Sequence, residues 1–418
     1  MTLGKGRSRM SAIADRSERL AVAQRRSGSL KAWRSVTVVA DIAALEQTWR
    51  DFEAHALLTP YQAFGWVSGF ARTIGRASGM DLRYAVLRDA CDKPLAILPL
   101  VVTRRLGTRF AGFIGDKHAN YHMGVYAPDF AASLDAEGAR TMLAEVASAM
   151  GGLDAFVFMN QPAQWQGIAN PLASLAAGPS PSSAYKLALN SADCEGTLRR
   201  AISSHAHKKM KNKRNRFASF GASRVAKADS PAEVARILGA FLDQKAARFR
   251  AMGIPNPFDE PGVCDFLKQA SLSHGGAPAA LELYSLDLDG RAVATYVGTQ
   301  QGTRFSGMAT SFDMEGEIAK TSPGEILLVD LIKLKCQEGV AVFDLGVGEA
   351  RYKTTICDDK DDLVDSFVPL TGKGRAFATF ARAKRSAKRR IKASPVLLKL
   401  ARRGAGLVGR KRRQPAED

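Results

Sequence analysis

The chain has 418 residues, 46% of them hydrophobic, and 60 Lys and Arg against 41 Asp and Glu give a formal charge of +19 at pH 7. At roughly 150 residues per domain, this length suggests two or three domains with real cores. No uninterrupted apolar run approaches the roughly 18 residues of a bilayer span, and the first residues, MTLGKGRSRMSAIADRSERL, lack an apolar signal-peptide core, so a cytoplasmic protein is expected.

Residues 1–34 are polar, basic and aperiodic, and are expected to form a tail. From Val36 the pattern predicts a strand, a helix over ADIAALEQTWRDFEAHA and a second helical piece near YQAFGWVSGFART. DLRYAVLRD and PLAILPLVV alternate around a turn at 90–93, which predicts a hairpin, and RFAGFIGD predicts a further strand. The helix LDAEGARTMLAEVASAM should stop at Gly151-Gly152 and feed the strand DAFVFMN.

The second half repeats this order. A helix over PAEVARILGAFLDQKAARFRAMG precedes LELYSLDL, the turn Asp289-Gly290 and RAVATYVGT, the strongest hairpin signal in the chain. TRFSGMATSF, the helix SPGEILLVDLIKLKCQEG and the strand VAVFDLG follow. The expectation is an α/β (α+β) chain of two tandem units, each with a mixed, mainly antiparallel sheet. The expected bounds are 1–34 basic tail, 35–178 first unit, 179–370 second unit and 371–418 basic C-terminal tail.

The positive charge is local, since residues 199–228 carry ten Lys/Arg and residues 373–413 sixteen, with no acid in either stretch. Such blocks suit solvated faces or anionic partners. In HAHKKMKNKRNRF, His205 and His207 are two residues apart and do not share a helical face, which argues against a metal pair. The five cysteines show no CxxC pair or regular spacing, so neither a disulfide framework nor a zinc site is expected.

Three stretches offer chemistry. In TSPGEILL, Ser322 suits an N-cap and Pro323 the first helical position. The N–H groups of Gly324, Glu325 and Ile326 would then form an anion site, or simply an ordinary helix start. In FDLGVGEARYK, Gly346 and Gly348 would bend the chain past a buried strand, with no helix pattern directly after it. Asp344, Glu349, Tyr352 and Lys353 would face a cleft at the strand end, or sit in a solvated loop. GDKHANYHMGVY gathers His118, Asn120 and Tyr121 in a loop suited to recognition, or to purely structural bonding.

The order of elements in each half resembles the acyl-CoA N-acyltransferase fold of the GNAT superfamily. The second half further resembles CelD/BcsL-type acetyltransferases of polysaccharide synthesis, relatives of the Fem peptidyltransferases, through HKKMKNKRNRF, the Asp289-Gly290 hairpin, the SPG helix start and the Tyr352-Lys353 pair. That resemblance implies acetyl-CoA or another acyl-CoA as co-substrate, no metal, and direct attack of an amino-sugar or polysaccharide-precursor amine on the thioester. It implies Asp344 or Glu349 as base, Tyr352 as acid and Lys353 as a cation for phosphate or oxyanion. The cofactor would lie on Ser322, Gly324, Glu325, Ile326, Met308 and Thr310, with β-strand backbone N–H at the oxyanion; the acceptor would meet His118, Asn120, Tyr121 and Tyr296. The pyrophosphate loop departs from the family, because EIAKTSPGEIL keeps only Gly324 of Q/R-x-x-G-x-G/A. Two alternatives remain open: Fem-like transfer from aminoacyl-tRNA, with the basic helix on tRNA, and an inactive scaffold docked to the inner membrane or a polysaccharide synthase by the basic tail.

Overall fold

The computed structural model describes residues 31–273 and 276–394; the expectations for 1–30 and 395–418 fall outside the described residues. In chain order come β1 (Ser35–Val39), β2 (Asp81–Arg88), β3 (Pro94–Arg105), β4 (Thr108–Phe113), β5 (Val125–Tyr126) and β6 (Ala155–Pro162). A small ribbon of β7 (Gln164–Trp165) and β8 (Ile168–Ala169) precedes β9 (Ala176–Pro179). Then follow β10 (Ala184–Ala188), β11 (Ser223–Lys227), β12 (Glu282–Leu288), β13 (Arg291–Gln301), β14 (Arg304–Phe312), β15 (Val342–Val347), β16 (Asp359–Asp361) and β17 (Leu363–Pro369).

These strands make two mixed α/β layers, an 8-stranded sheet in the order β1-β2-β3-β4-β6-β17-β9 with β5 on β3, and a 7-stranded sheet in the order β11-β12-β13-β14-β15-β10-β16. Each is antiparallel except at one pair, β4 with β6 and β14 with β15. The repeat expected from the sequence is therefore visible strand by strand. The β12–β13 hairpin closes on Asp289 (φ 48°) and Gly290 (φ 81°), the left-handed pair that a two-residue turn needs. The helix Pro231–Met252 is capped by Ser230, which accepts the Glu233 N–H at 3.3 Å, and stops at left-handed Gly253.

One strand crosses between the units as their expected bounds divide them. β17, inside the bounds expected for the second unit, pairs with β6 of the first sheet, whereas β10, at the start of the second unit, pairs with β15 of its own sheet. The first sheet therefore takes a strand from the second unit, while the second sheet is built from its own unit.

Residues expected in the tails also fold. Trp33 is buried and donates Nε1 to Glu145 at 2.9 Å. Gly372–Ala393 is a 22-residue helix on the first sheet: Phe377 stacks on Phe110 at 4.6 Å, Arg382 donates to the Phe367 carbonyl at 2.8 Å, and Arg385 grips buried Asp365 at 2.6 and 2.8 Å. Charge alone suggested a solvated tail, but Phe377 and Ala378 bury on the sheet while two cations meet oxygens there. No helix among the described residues is long and apolar enough to cross a membrane.

Candidate functional site

β14 and β15 run parallel for three pairs, Arg304↔Val342, Phe305↔Phe343 and Ser306↔Asp344, and then diverge. On β14 the register shifts between Val297 and Gly298, leaving Met308 as an extra residue, and such a bulge twists a strand away from its neighbour. On β15, Gly346 (φ 74°) and Gly348 (φ 107°) turn the chain aside, as their spacing predicted. Asp313 donates its N–H to Val293 at 2.9 Å, so alternation along the antiparallel pair turns the N–H and C=O of Thr310 and Phe312 away from β13 and into the gap. The gap thus offers a backbone edge to an extended ligand.

Its base is closed from the first unit. Asn120 donates Nδ2 to the Gly307 carbonyl at 2.9 Å and to Tyr61 Oη at 2.6 Å, and its Oδ1 accepts the Val347 N–H at 3.2 Å. One side-chain amide therefore bridges the two diverging strands. A Cβ on Gly346 would lie 2.5 Å from Asn120 Nδ2, so glycine is needed there for contact as well as for φ. Tyr296 is buried under β14, where a Cβ on Gly307 would lie 2.1 Å from its hydroxyl, and burial holds its phenol well above the usual range.

The other predicted residues divide. Asp344 is 0% exposed and its carboxylate is committed. Oδ2 accepts Arg304 Nε and Nη2 at 3.2 and 2.9 Å and Ser306 Oγ at 2.9 Å, while Oδ1 accepts the Gly346 N–H at 2.6 Å. Arg304 also bonds Asp361 at 2.5 Å and Tyr121 Oη at 2.9 Å and lies 4.2 Å from the Trp165 ring. Burial opposes its charge, but Asp344 and its neighbours keep the guanidinium protonated. Asp344 and Tyr121 thus belong to a buried network joining the units.

Lys353 is 8% exposed and donates Nζ to the carbonyls of Gly346 and Val347, both at 3.1 Å, and burial lowers its pKa. It ties down the end of β15. It sits with Tyr352 on a helix, Arg351–Ile356, for which the sequence showed no pattern. Tyr352 is half-buried, and burial raises its pKa, with the Arg248 charge acting in the opposite sense. Glu349 is exposed just past β15. His118 lies apart from these, against Phe70 with ring centres 6.3 Å apart, and burial lowers its pKa.

The SPG helix, Pro323–Gln337, starts differently from expectation. Ser322 occupies the N-cap position in left-handed geometry (φ 59°, ψ 59°) and its side chain caps nothing. Its carbonyl takes the N–H groups of Glu325 at 2.9 Å and Ile326 at 3.3 Å, which leaves only Gly324 of the expected N–H triad. A Cβ on Gly324 would lie 2.8 Å from Phe312, so this glycine also lets the helix start approach β14. Glu325 is answered by Lys213 of the basic helix Ser204–Ala218. In the same helix Arg214 grips Asp330 at 3.0 and 2.5 Å, Arg216 meets Glu317 at 2.6 Å, and His207 Nε2 lies 3.0 Å from the Leu198 carbonyl. Half of this cationic helix is thus a packing partner of the second unit, while Lys208, Lys209 and Lys211 stay exposed.

Sequence reading missed Arg248. It projects from the helix Pro231–Met252 to 5.9 Å from the Phe312 ring, one turn beyond Gln244, which ties down β13 and β14 by bonds to Ala292 and Ser311. Only the i, i+4 spacing of Gln244 and Arg248 could have hinted at a shared face. Among the described residues no His, Cys, Asp and Glu group could hold a metal.

Residues 204–354, less than half of the chain, match the family model described as Acetyltransferase (GNAT) domain. No curated protein matches in sequence. Among solved structures, FemX is similar at a TM-score of 0.55 with 8% identity, covering 84% of this chain and all of that one. The C-terminal domain of a putative lysylphosphatidylglycerol synthetase from Agrobacterium fabrum scores 0.49 with 10% identity, over 81% of this chain and 95% of that one. A tandem GNAT protein from the clavulanic acid biosynthesis pathway scores 0.44 with 10% identity, over 81% and 99%. The matched domain contains both diverging strands, the SPG helix and Tyr352, and together with the two-sheet fold it supports an acyltransferase.

Proposed function

We propose that the chain transfers an acyl group, in the simplest case acetyl, from acyl-CoA to an amine. The observation that carries this reading is the gap between β14 and β15, where the backbone of Thr310 and Phe312 is turned toward an incoming extended chain. Arg248 and the Gly324 N–H, at the far end of the same strand, are suited to the phosphates. The amine attacks the thioester carbonyl, the C–N bond forms, and backbone N–H groups of the gap near the Met308 bulge meet the developing oxyanion. Glu349 takes the first proton of the incoming ammonium before the attack; as the C–S bond breaks the thiolate takes the proton of Tyr352, and the second proton of the attacking nitrogen returns to the Tyr352 phenolate as the amide forms. Asp344 has no part in that exchange, because its oxygens are already used. The finer reading, an amino-sugar or polysaccharide-precursor acceptor of the CelD/BcsL type, rests on the order of the sequence motifs.

Calorimetry with acetyl-CoA tests the donor. Saturable binding is expected, weakened about tenfold in Arg248→Gln through loss of a charge-assisted phosphate contact; heat that never saturates would sink the acyl-CoA reading.

One observation favours a second reading, transfer from aminoacyl-tRNA: Lys208, Lys209 and Lys211 are exposed on a fold shared with FemX. In that case the Lys208→Glu/Lys209→Glu/Lys211→Glu variant loses tRNA binding and flattens its salt dependence, by roughly one power of salt per lost contact. Undiminished tRNA affinity in the triple variant, or none in the parent, would dismiss it.

A further inference from the structure

The first sheet repeats the divergence of the second. β4 and β6 pair in parallel only at Phe110↔Ala155 and Ala111↔Phe156. Beside this split lies a cavity of about 680 Å³ that the acyl transfer above does not use, within the size range of small-molecule sites. Val101, Phe110, Gly112, Val157 and Met159 line it, with Met159 37% exposed. Ile114 donates its N–H to the Pro99 carbonyl at 3.0 Å, so alternation turns the N–H and C=O of the lining residue Phe113 away from β3.

Polar features converge on the same space. His122 lines the cavity, is only 5% exposed, and its Nδ1 makes no hydrogen bond of proper geometry among the described residues. Burial lowers its pKa to about 4, so near neutral pH the ring is an uncharged hydrogen-bonding group. Two non-glycine lining residues hold left-handed backbone, Asp116 (φ 41°) and Asn160 (φ 53°), and strain of this kind gathers at ligand sites. Arg104, Lys117 and Arg385 share the lining with Asp81 and Asp116. Glu260 answers Lys117, Asp365 answers Arg385 and Arg83 answers Asp81. Arg104 is exposed and has no ion-pair partner among the described residues.

We propose that this cavity is a second ligand site, for a single-chain anionic amphiphile whose apolar chain lies along the sheet floor and whose phosphate or carboxylate head sits at the Arg104 rim. A purely apolar ligand would leave the Arg104 guanidinium unanswered, and a free anion would leave Val101, Val157 and Met159 wet. The same loop serves both sites: Gly115, Asp116, Lys117 and His122 border this cavity, while Asn120 closes the β14–β15 gap. The proposal does not depend on the acyl-CoA reading.

Calorimetric titration of the full chain with dodecyl phosphate below its micellar concentration is the test. Saturable one-to-one binding is expected. Met159→Glu should weaken it roughly tenfold or more, because an unpaired charge then meets the chain, and Arg104→Glu roughly tenfold through the head. Lys209→Glu, on the basic helix, should leave it unchanged, and circular dichroism should show all three variants folded. Dodecanoate in a parallel arm separates a preference for phosphate from one for any anion. Absence of saturable binding, indifference to both Met159→Glu and Arg104→Glu, or full displacement by inorganic phosphate would overturn the proposal. Displacement by acetyl-CoA at matching concentration would overturn it in favour of a second coenzyme site.

Discussion

Asp344→Ala is expected to destabilise the protein by about 3 kcal/mol, the lower end of the cost of breaking a buried ion pair by removing one partner. The lower end applies because Arg304 keeps Asp361 at 2.5 Å and the Trp165 ring at 4.2 Å. The loss has identifiable parts. Arg304, the Ser306 hydroxyl and the Gly346 N–H all lose an acceptor at a position with no access to water, and each stranded donor costs about 1–3 kcal/mol before relaxation. Asp344→Asn, which keeps one oxygen and the shape, should lose less. Urea unfolding of the full chain, followed by circular dichroism, reads both. If stability is untouched while turnover collapses in Asp344→Asn, the residue is a base after all and the assignment of a structural role fails.

Tyr352→Phe should lower kcat about 100-fold, the lower range for removal of a general acid, with little change in KM for acetyl-CoA or in thermal stability. Burial raises the phenol pKa above its ordinary 10.0, so the group stays protonated at neutral pH and has a proton for the departing thiolate. The sign of the pH dependence follows: an acid works only while protonated, so the Tyr352-dependent limb of kcat should fall only above pH 10, and be absent in the variant. Thiol release measured with a chromogenic disulfide reads both parameters. An unchanged kcat would remove Tyr352 from the chemistry.

Local patterns in the sequence carried the repeated order of elements, because alternation, capping residues and Asp289-Gly290 act within a few residues of where they stand. They also located the strand end at Gly346 and the helix start at Pro323. Ser322 misled, since a good capping residue bonds an N–H only in extended geometry and here the backbone is left-handed. The basic segments misled through charge, which reports solvation preference but not whether Glu317, Glu325, Asp330 or Asp365 waits on a partner element distant in sequence.

By itself, then, the sequence determined two copies of an α/β unit and the position of a strand end suited to chemistry. The tertiary structure alone decided which side chains are free to act there. Asp344 and Lys353 are drawn into bonds, Asn120 arrives from the other unit to bridge two strands, and Arg248 comes to Phe312 of β14 from a helix about 50 residues before that strand begins. Hydrogen-bond commitment depends on partners brought together by folding, and no spacing rule along one chain records it.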